Sequence, residues 1–157
     1  MTDQPQPKTP SESRVILSQL MGPGQANTHG NVHGGLLMKM CDEAGGMAAT
    51  KHARHPVVTV VVDSMTFHSP VHIGNLVTCT AKVTWVGRTS IETKVIVTAE
   101  NVLTGEIVHT NSAYFVYVAL DENGRPVPAP PIRCETEDEI ECNKRAAKRR
   151  DARLQNR

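Results

Sequence analysis

Residues 26–46 read ANTHGNVHGGLLMKMCDEAGG, and they pass from a polar, glycine-rich loop directly into an apolar helical pattern. From Gly34 to about Arg54, apolar residues recur at the i, i+3, i+4, i+7 and i+11 spacing that forms one face of an α-helix. That face consists of Leu37, Met40, Cys41, Ala44 and Ala48. The pattern predicts one long helix with a buried face.

The rest of the chain is dominated by runs rich in valine, threonine and isoleucine, which favour β-strands. One short run precedes the helix and four long runs follow it, at residues 14–20, 57–67, 76–86, 90–99 and 107–119. Turn residues at 87–89 and 103–105 predict hairpins, so the last three strands are expected to be antiparallel. The sequence predicts an α+β domain with one helix on one face of an antiparallel sheet. Dimerisation is the simplest way to cover the remaining face and edges.

The length and the charge balance fit a single domain without a polyanionic partner. A chain of 157 residues can bury one sizeable core but is short for two. Its 17 basic and 16 acidic side chains leave a formal net charge of +1. No overall field therefore attracts nucleic acid or an anionic membrane, and we expect neither as a partner.

The cysteines and histidines do not have metal-ligand spacing. The four cysteines (Cys41, Cys79, Cys134, Cys142) include no C-x-x-C pair, which favours reduced thiols over disulfides or a zinc site. His52 and His55 are interpreted as compensating the dipole at the end of the long helix. No run approaches the roughly 20 apolar residues of a membrane span, and the polar first ten residues lack the apolar run of a secretory signal. We expect a cytoplasmic protein without a bound metal.

The two ends of the chain differ in composition from the middle. We predict a disordered head at residues 1–12, a folded domain at 13–128, and a Pro-rich exit with a charged helix at 129–157. The tail is acidic from Glu135 and basic from Lys144 onward, an order that complements a helix dipole. Because its charges are balanced, a solvated helix is favoured over a nucleic-acid-binding arm.

The start of the long helix is the first candidate site. A helix N-terminus carries free N–H groups and the positive end of the dipole, and Gly34 and Gly35 would let a ligand approach them closely. This favours a site for an oxyanion or a polarised carbonyl. The alternative is an ordinary helix cap, with Asn31 satisfying the backbone donors.

Asp42 is the second candidate, because it lies roughly opposite the apolar face of the helix. Gly45 and Gly46 stand one turn from it, and glycine in a helix interior costs about 1 kcal/mol relative to alanine. We infer that another backbone or a ligand packs closely at this surface. A carboxylate there suits a general base or a nucleophile, whereas the alternative is a surface charge paired with Lys39.

These residues resemble the signature of the hotdog-fold acyl-CoA thioesterases of the cytosolic long-chain and bacterial broad-specificity type. The similarity begins with residues 26–46 and extends over nearly the whole chain after residue 12. It includes Asp63, Phe67, Ser69-Pro70-Val71, Gly74, residues 86–90, Glu100-Asn101, Thr104-Gly105 and a Pro-Pro exit before a charged helix. The resemblance implies a sheet wrapped around one long central helix, paired as a double-hotdog dimer and often assembled as a trimer of dimers.

The resemblance also implies an activity: hydrolysis of acyl-CoA to a fatty acid and coenzyme A, without a cofactor. It identifies Asn27 and Asp42 as the catalytic pair. The Gly35 N–H could then bind the carbonyl oxygen, and His33 is given a supporting role. Asp42 could deprotonate water or attack the carbonyl directly, and the sequence leaves both routes open.

Coenzyme A carries phosphates, for which Arg88 is the candidate partner. The turn formed by Gly87, Arg88, Thr89 and Ser90 combines a guanidinium, two hydroxyls and backbone N–H groups, which suits a phosphate or pantetheine clamp. The alternative is an ordinary hairpin with an exposed arginine. Asn31 and Gly34 are included as further substrate-binding candidates.

Two other functions compete with hydrolysis. A hotdog dehydratase or hydratase would need a histidine paired with a carboxylate, which Asn27 and Asp42 do not provide. A non-catalytic acyl-CoA-binding regulatory protein would keep Arg88 but would not need Asp42. Because Asp42 lies about 12 Å along the helix from Gly34, we expect Asn27 of one protomer to work with Asp42 of its partner.

Overall fold

The computed structural model describes residues 5–157. Two α-helices and five β-strands follow one another in the order β1, α1, β2, β3, β4, β5, α2. The strands are β1 (Val15–Leu20), β2 (Val57–Phe67), β3 (Asn75–Val86), β4 (Ser90–Asn101) and β5 (Ile107–Ala119). The helices are α1 (Gly34–Ala53) and α2 (Glu137–Gln155), and short 3-10 turns span Pro10–Ser13 and Pro23–Gln25. The α+β prediction and all five predicted strands are confirmed, with bounds that shift by at most two residues.

The five strands form one antiparallel sheet in the order β1-β3-β4-β5-β2. Helix α1 contacts every strand, so the sheet wraps around it as the resemblance implied. The pairing of β2 with β5 shifts register between Thr59 and Val61 and again between Val62 and Ser64. Such bulges increase local bend and twist, which helps this edge of the sheet curve around the helix.

The core lies between α1 and the inner face of the sheet. The predicted apolar face of α1 is confirmed, since Leu37, Met40, Cys41, Ala44 and Ala48 are all buried. Small residues on this face allow the sheet to approach closely. On β4 the buried Val95 and Val97 alternate with the more exposed Lys94 and Ile96, as a strand with one core-facing side requires.

Helix α1 ends at Ala53, and Arg54 is its C-cap residue. Arg54 follows the last helical residue with φ 56° and ψ 28°, and its N–H donates to the Thr50 carbonyl. This left-handed conformation closes the helix, and His55-Pro56 then leads into β2. Across residues 5–157, neither helix combines the length and the apolar character that a membrane crossing would require.

The charged tail forms the predicted helix, but one face of α2 packs on the outer face of the sheet, so the helix is only partly solvated. Arg149 of α2 makes hydrogen bonds of 3.1 and 2.7 Å to the two carboxylate oxygens of the fully buried Glu92. Arg153 donates to Asp63 Oδ2 at 2.6 Å, and Ala146 is buried. The physical reason is that Glu92 needs a cationic partner, because an unpaired buried carboxylate is strongly destabilising.

The predicted disordered head is wrong for the residues nearest the domain. Residues 1–4 lie outside the described part of the chain. Lys8 exchanges backbone hydrogen bonds with Pro131 and Arg133, and its ammonium donates to the His52 carbonyl at 2.8 Å. Thr9 is also buried. These contacts hold the segment against the C-terminal end of α1 and against the Pro-rich exit, so it is ordered.

Strand β2 is an edge strand with an apolar surface. It pairs with β5 on one side only. Val58, Val60 and Val62 remain 44%, 50% and 46% exposed. An unpaired edge with exposed valines favours pairing with another chain, so this strand provides a surface suited to self-association.

Candidate active site

Asp42 is held by two hydroxyl groups that reach α1 from different strands. Thr59 Oγ1 of β2 donates to Asp42 Oδ1 at 2.8 Å, and the Tyr117 hydroxyl of β5 lies 3.0 Å from the same oxygen. The Tyr117 hydroxyl is also 3.0 Å from the Asp42 carbonyl oxygen. Within residues 5–157, no group donates to Oδ2. The carboxylate therefore has one anchored oxygen and one free oxygen.

Asp42 opens onto a surface cavity of about 510 Å³. Its lining includes Gly46, Thr59 and Tyr117 beside the carboxylate, together with Val57 at the start of β2. The cavity lies at the free edge of the sheet. Asp42 is thus accessible from the side where β2 has no neighbouring strand.

Gly45 makes room for Tyr117, which corrects the expectation of a backbone or a ligand at this position. A Cβ atom built on Gly45 would lie 2.7 Å from the Tyr117 hydroxyl and 2.6 Å from Thr93 Oγ1, closer than side chains approach one another. A Cβ on Gly46 would make an ordinary contact of 3.5 Å with the Tyr117 ring. The cost of about 1 kcal/mol for a helical glycine is therefore explained at Gly45 by packing within the chain.

The alternative pairing of Asp42 with Lys39 does not occur. Lys39 instead lies 3.8 Å from Glu43, and both side chains are mostly exposed. This is an ordinary i, i+4 surface pair, which contributes little to stability. Asp42 has hydroxyl partners only and no cationic partner among residues 5–157.

Asn27 belongs to the loop that leads into α1. Its Oδ1 accepts hydrogen bonds from the backbone N–H groups of His29 at 2.9 Å and Asn31 at 3.1 Å. The loop closes further through the Asn27 N–H, which donates to the Asn31 carbonyl at 2.7 Å. Because the carbonyl end of the side chain is occupied, the Asn27 Nδ2 group is the part left to donate to a ligand.

The start of α1 is not capped by a side chain. His33 is the N-cap residue and makes no side-chain capping bond. The side-chain oxygen of Asn31, the predicted alternative cap, instead accepts a hydrogen bond of 3.1 Å from His72 Nδ1. The N–H groups of Gly34 and Gly35 find no acceptor within residues 5–157. The capping interpretation of Asn31 is therefore wrong, and the helix start keeps its free donors.

Asn27 faces a second cavity, which does not include Asp42. This cavity of about 340 Å³ is lined by residues of the loop, the helix start and the end of β2, among them Asn27, Asn31, Gly34, Phe67 and His68. Phe67 packs against Gly34, with ring carbons 3.6 to 4.0 Å from where a Cβ would lie. Within one chain, the two predicted catalytic residues are therefore not brought together.

The turn at residues 87–90 is closed by its own backbone. The Gly87 N–H donates to the Ser90 carbonyl at 2.8 Å, and the Arg88 carbonyl accepts from Ala129 at 2.9 Å. The Arg88 side chain is exposed. Because Ile91 of β4 pairs with Tyr117, this turn lies at the same end of the sheet as Asp42. The structure thus brings Arg88 to the Asp42 end of the protomer rather than to the Asn27 end.

His52 has a different environment from the one predicted. It is fully buried, and its Nε2 lies 2.7 Å from the Pro130 carbonyl, to which it must donate. Nδ1 is buried and has no hydrogen-bond partner among residues 5–157, and burial lowers the pKa of His52 below its ordinary value. The dipole interpretation is wrong because the ring is kept neutral and joins α1 to the Pro-rich exit. In the described part of the chain, no three His, Cys, Asp or Glu side chains come together as metal ligands would.

The sequence interpretation missed Thr59 and Tyr117. Both lie in strands that were predicted correctly, but each reaches Asp42 only through tertiary packing, across 17 and 75 positions of the chain. The one local signal was Gly45, whose missing side chain marks where the tyrosine packs. A search for a bulky polar partner on a facing strand could have suggested it.

Comparisons with known proteins show the family to which the chain belongs. Residues 29–106 match the family model described as the thioesterase superfamily. Protein VdlD of Helicobacter pylori is 39% identical over 145 residues, which covers 92% of this chain and 83% of that protein. The cytosolic acyl coenzyme A thioester hydrolase of Rattus norvegicus is 38% identical over 137 residues, 86% of this chain. That alignment spans only 36% of the rat protein.

Solved structures of acyl-CoA thioesterases and hydrolases also superpose on this chain. A hexameric acyl-CoA thioesterase, solved in its apo form, superposes with a TM-score of 0.93 at 35% identity, over 96% of this chain and 97% of that one. An acyl-CoA hydrolase from Staphylococcus aureus in complex with butyryl coenzyme A and coenzyme A superposes with a TM-score of 0.88 at 30% identity, over 95% and 91% of the two chains. Alanine mutants of the S. aureus enzyme at an aspartate, an asparagine and a threonine are also among the similar structures. The chain described here belongs to the hotdog-fold acyl-CoA thioesterase family of the thioesterase superfamily.

Proposed function

We propose that this protein hydrolyses acyl-CoA thioesters to a free carboxylic acid and coenzyme A. The observation that carries the proposal is the Asp42 carboxylate, which is anchored through one oxygen and free at the other in an open cavity. The S. aureus enzyme, crystallised with butyryl coenzyme A, supports the substrate class. Its mutated aspartate, asparagine and threonine match in type the Asp42, Asn27 and Thr59 of this site.

The chemistry requires a polarised carbonyl and an activated oxygen nucleophile. In the general-base route, Asp42 Oδ2 takes a proton from water, the water oxygen bonds to the carbonyl carbon, and the carbon–sulfur bond breaks. The thiolate of coenzyme A leaves and takes up a proton. In the covalent route, Oδ2 bonds to the carbonyl carbon, the carbon–sulfur bond breaks and the thiolate leaves; water then cleaves the mixed anhydride, which releases the acid and restores the Asp42 carboxylate. Neither route needs a metal or a cofactor, since coenzyme A is part of the substrate.

The start of α1 provides the donors for the carbonyl oxygen. The free N–H of Gly35 is assigned this role, with Asn27 Nδ2 as the second donor. Gly34 and Asn31 line the cavity that Asn27 faces, and the Phe67 ring packs against Gly34. His33 is exposed at the helix start and is assigned a supporting role in solvating the leaving group or water.

The complete site is shared between two protomers. Thr59 and Phe67 are eight residues apart on β2, which corresponds to about 26 Å at roughly 3.3 Å per residue. If β2 pairs with its counterpart in an antiparallel, two-fold arrangement, the first residues of one strand lie beside the last residues of the other. The Asn27 cavity of one protomer then faces the Asp42 cavity of its partner. The free edge and exposed valines of β2 support this double-hotdog dimer.

Arg88 is assigned to the nucleotide end of coenzyme A. Its guanidinium is exposed on a backbone-closed turn at the Asp42 end of the sheet, where it can form bidentate bonds to a phosphate. Thr89 and Ser90 add hydroxyl groups on the same turn, while Gly87 is needed for packing, since a Cβ there would lie 2.7 Å from the Trp85 ring. We assign the remaining substrate contacts of the turn to Arg88, Thr89 and Ser90.

The hexameric relative supports further assembly as a trimer of dimers. The name of the rat relative, a cytosolic hydrolase, supports a cytoplasmic location. The domain is assigned to residues 13–128, with residues 129–157 as an appended segment. Assembly, location and domain bounds are thus proposed in addition to the family membership.

The test is release of free thiol by the purified protein from acetyl-, butyryl- and palmitoyl-CoA. We expect steady multiple-turnover release with at least one of these substrates. Stoichiometric binding of the same compounds without thiol release would instead identify a non-catalytic acyl-CoA-binding protein. Formation or loss of a 2,3-double bond in the acyl chain would identify a dehydratase or hydratase.

A further inference from the structure

Tyr117 has a position that the reaction outlined above does not use. Its side chain is buried to 1% exposure under α1, and Tyr117 is among the residues that line the Asp42 cavity. That hydroxyl lies 3.0 Å from both Asp42 Oδ1 and the Asp42 carbonyl oxygen. The single phenolic proton is thus directed at Asp42 alone among the hydrogen-bond partners within residues 5–157.

The Tyr117 hydroxyl is a hydrogen-bond donor at every pH at which the protein is folded and active. Burial raises the pKa of Tyr117 far above its ordinary value, and the negative charge of Asp42 raises it further. The phenol therefore keeps its proton wherever the enzyme is folded and active. The group it faces, a carboxylate oxygen, is an acceptor in its ionised form.

Thr59 and Tyr117 select one oxygen of the carboxylate. Both donate to Oδ1, from the neighbouring strands β2 and β5, and neither approaches Oδ2 within hydrogen-bonding distance. Because Oδ1 is held at two points, the carboxylate cannot exchange its oxygens by rotation without breaking both bonds. Oδ2 is left as the oxygen that faces the cavity.

Gly45 is part of the same arrangement. A Cβ at this position would lie 2.7 Å from the Tyr117 hydroxyl, so any side chain there would displace the phenol from Asp42. The helix keeps a glycine one turn from the carboxylate, and the space is filled by the tyrosine. Gly45 of α1 thus leaves the space in which the Tyr117 hydroxyl of β5 reaches the Asp42 carboxylate.

We propose that Tyr117 is a positioning residue for thioester hydrolysis, which fixes Asp42 Oδ1 so that Oδ2 is the reacting oxygen. The inference rests on the proposed hydrolase function. It assigns Tyr117 no contact with the substrate and no proton transfer. Its contribution is the orientation of Asp42, so it affects turnover rather than substrate affinity.

The test compares two tyrosine variants of the full-length protein, Tyr117→Phe and Tyr114→Phe. Tyr114 lies on the same strand but faces the opposite side of the sheet. The guanidinium carbon of Arg149 lies 3.8 Å from the centroid of the Tyr114 ring. We expect Tyr117→Phe to lower kcat roughly ten- to a hundredfold, the scale of a lost hydrogen bond to a charged group, with KM for acyl-CoA unchanged. Tyr114→Phe is expected to keep the parental kcat. A kcat for Tyr117→Phe within about twofold of the parent's would overturn the inference.

A double variant separates positioning from general loss of structure. If Tyr117 acts through Asp42, Tyr117→Phe causes no further loss in an Asp42→Asn background, where the residual rate comes from the carbonyl donors. The same fold-loss in both backgrounds would contradict the inference. Thermal unfolding and native mass spectrometry check that the variants remain folded oligomers. An inactive parent protein would refute the hydrolase proposal, whereas an active parent with a fully active Tyr117→Phe variant would refute only the role of Tyr117.

Discussion

Asp42 and Asn27 lie in two separate cavities of one protomer, at opposite ends of the edge strand β2. The Asp42 cavity includes Val57 and Thr59 from the start of the strand, and the Asn27 cavity includes Phe67 from its end. In the proposed mechanism, each cavity holds half of the groups that thioester hydrolysis needs. A two-fold pairing of β2 would join the halves, which is the basis of the predictions that follow.

Replacing Asp42 by asparagine removes the base or nucleophile while keeping the shape of the side chain. We expect kcat to fall at least about a hundredfold, the usual scale for loss of such a group, with the oligomer intact. Asp151→Asn is the matched control, because Asp151 is an exposed helical aspartate on α2. Thiol release by the Asp42→Asn protein at a rate near the parent's would make Asp42 a structural residue.

Replacing Asn27 by aspartate tests the amide donor by itself. An aspartate can accept the same two backbone N–H bonds that hold the loop, but it has no Nδ2 group to donate to the carbonyl oxygen. We expect kcat to fall by roughly a hundredfold or more. Asn101 makes the same kind of turn between β4 and β5, accepting from Leu103 and Thr104, so Asn101→Asp should leave the rate unchanged. Equal rates for the parent and Asn27→Asp would show that Asn27 only shapes its loop.

Removing the Arg88 guanidinium tests the nucleotide contact. We expect Arg88→Ala to raise KM for acyl-CoA about tenfold with little change in kcat, since a clamp far from the carbonyl contributes uniform binding. An acyl-pantetheine substrate, which lacks the nucleotide, should be hydrolysed equally well by the parent and the variant. Arg145→Ala, an exposed arginine of α2, is the control. If the variant lost the same factor on both substrates, Arg88 would not contact the nucleotide.

The buried His52 predicts a loss of stability in mild acid. Its pKa is lowered by burial in the folded state, so below the ordinary value of 6.5 the unfolded chain binds a proton that the folded protein does not. The contribution of His52 to the free energy of unfolding is therefore complete above this pH. It decreases as the pH falls, by at most about 1.4 kcal/mol per pH unit.

Urea denaturation at pH 7.5 and pH 5.5, at a fixed protein concentration, measures this effect. We expect His52→Gln to reduce the acid-induced loss of stability and the exposed His55→Gln to leave it as in the parent. Identical pH dependence in the parent and both variants would mean that His52 is protonated as readily in the folded protein as in the unfolded chain.

The fold was predictable because its signals are local. The helical face from Leu37 to Ala48 and the valine-rich runs carry the periodicity of their secondary structure, and each was assigned from neighbouring residues alone. The residues that form the site were harder to predict from the sequence. Asp42 followed from its helical position beside two glycines and Asn27 from a family resemblance, whereas Thr59 and Tyr117 reach Asp42 through tertiary contacts that no spacing reveals.

The errors have a common physical origin. From the sequence, His52 is interpreted as compensating the dipole of α1, and Arg149 belongs to a tail interpreted as a solvated helix. In the folded protein, His52 meets the Pro130 carbonyl and Arg149 meets Glu92, partners 78 and 57 positions away. A buried polar group is recognisable only once its partner is known, and the partner is set by topology.

The shared site is the central claim, and mixed dimers test it most directly. An Asn27→Ala protein and an Asp42→Ala protein, each inactive, are denatured, combined in equal amounts and refolded, and native mass spectrometry verifies that mixed dimers form. If Asn27 of one protomer works with Asp42 of its partner, half of the dimers are mixed and each has one intact site of two. Thiol release should then recover to roughly a quarter of the parental rate. If both residues act within one chain, no mixed dimer contains an intact site, and activity that stays at the background of the single variants would contradict the account.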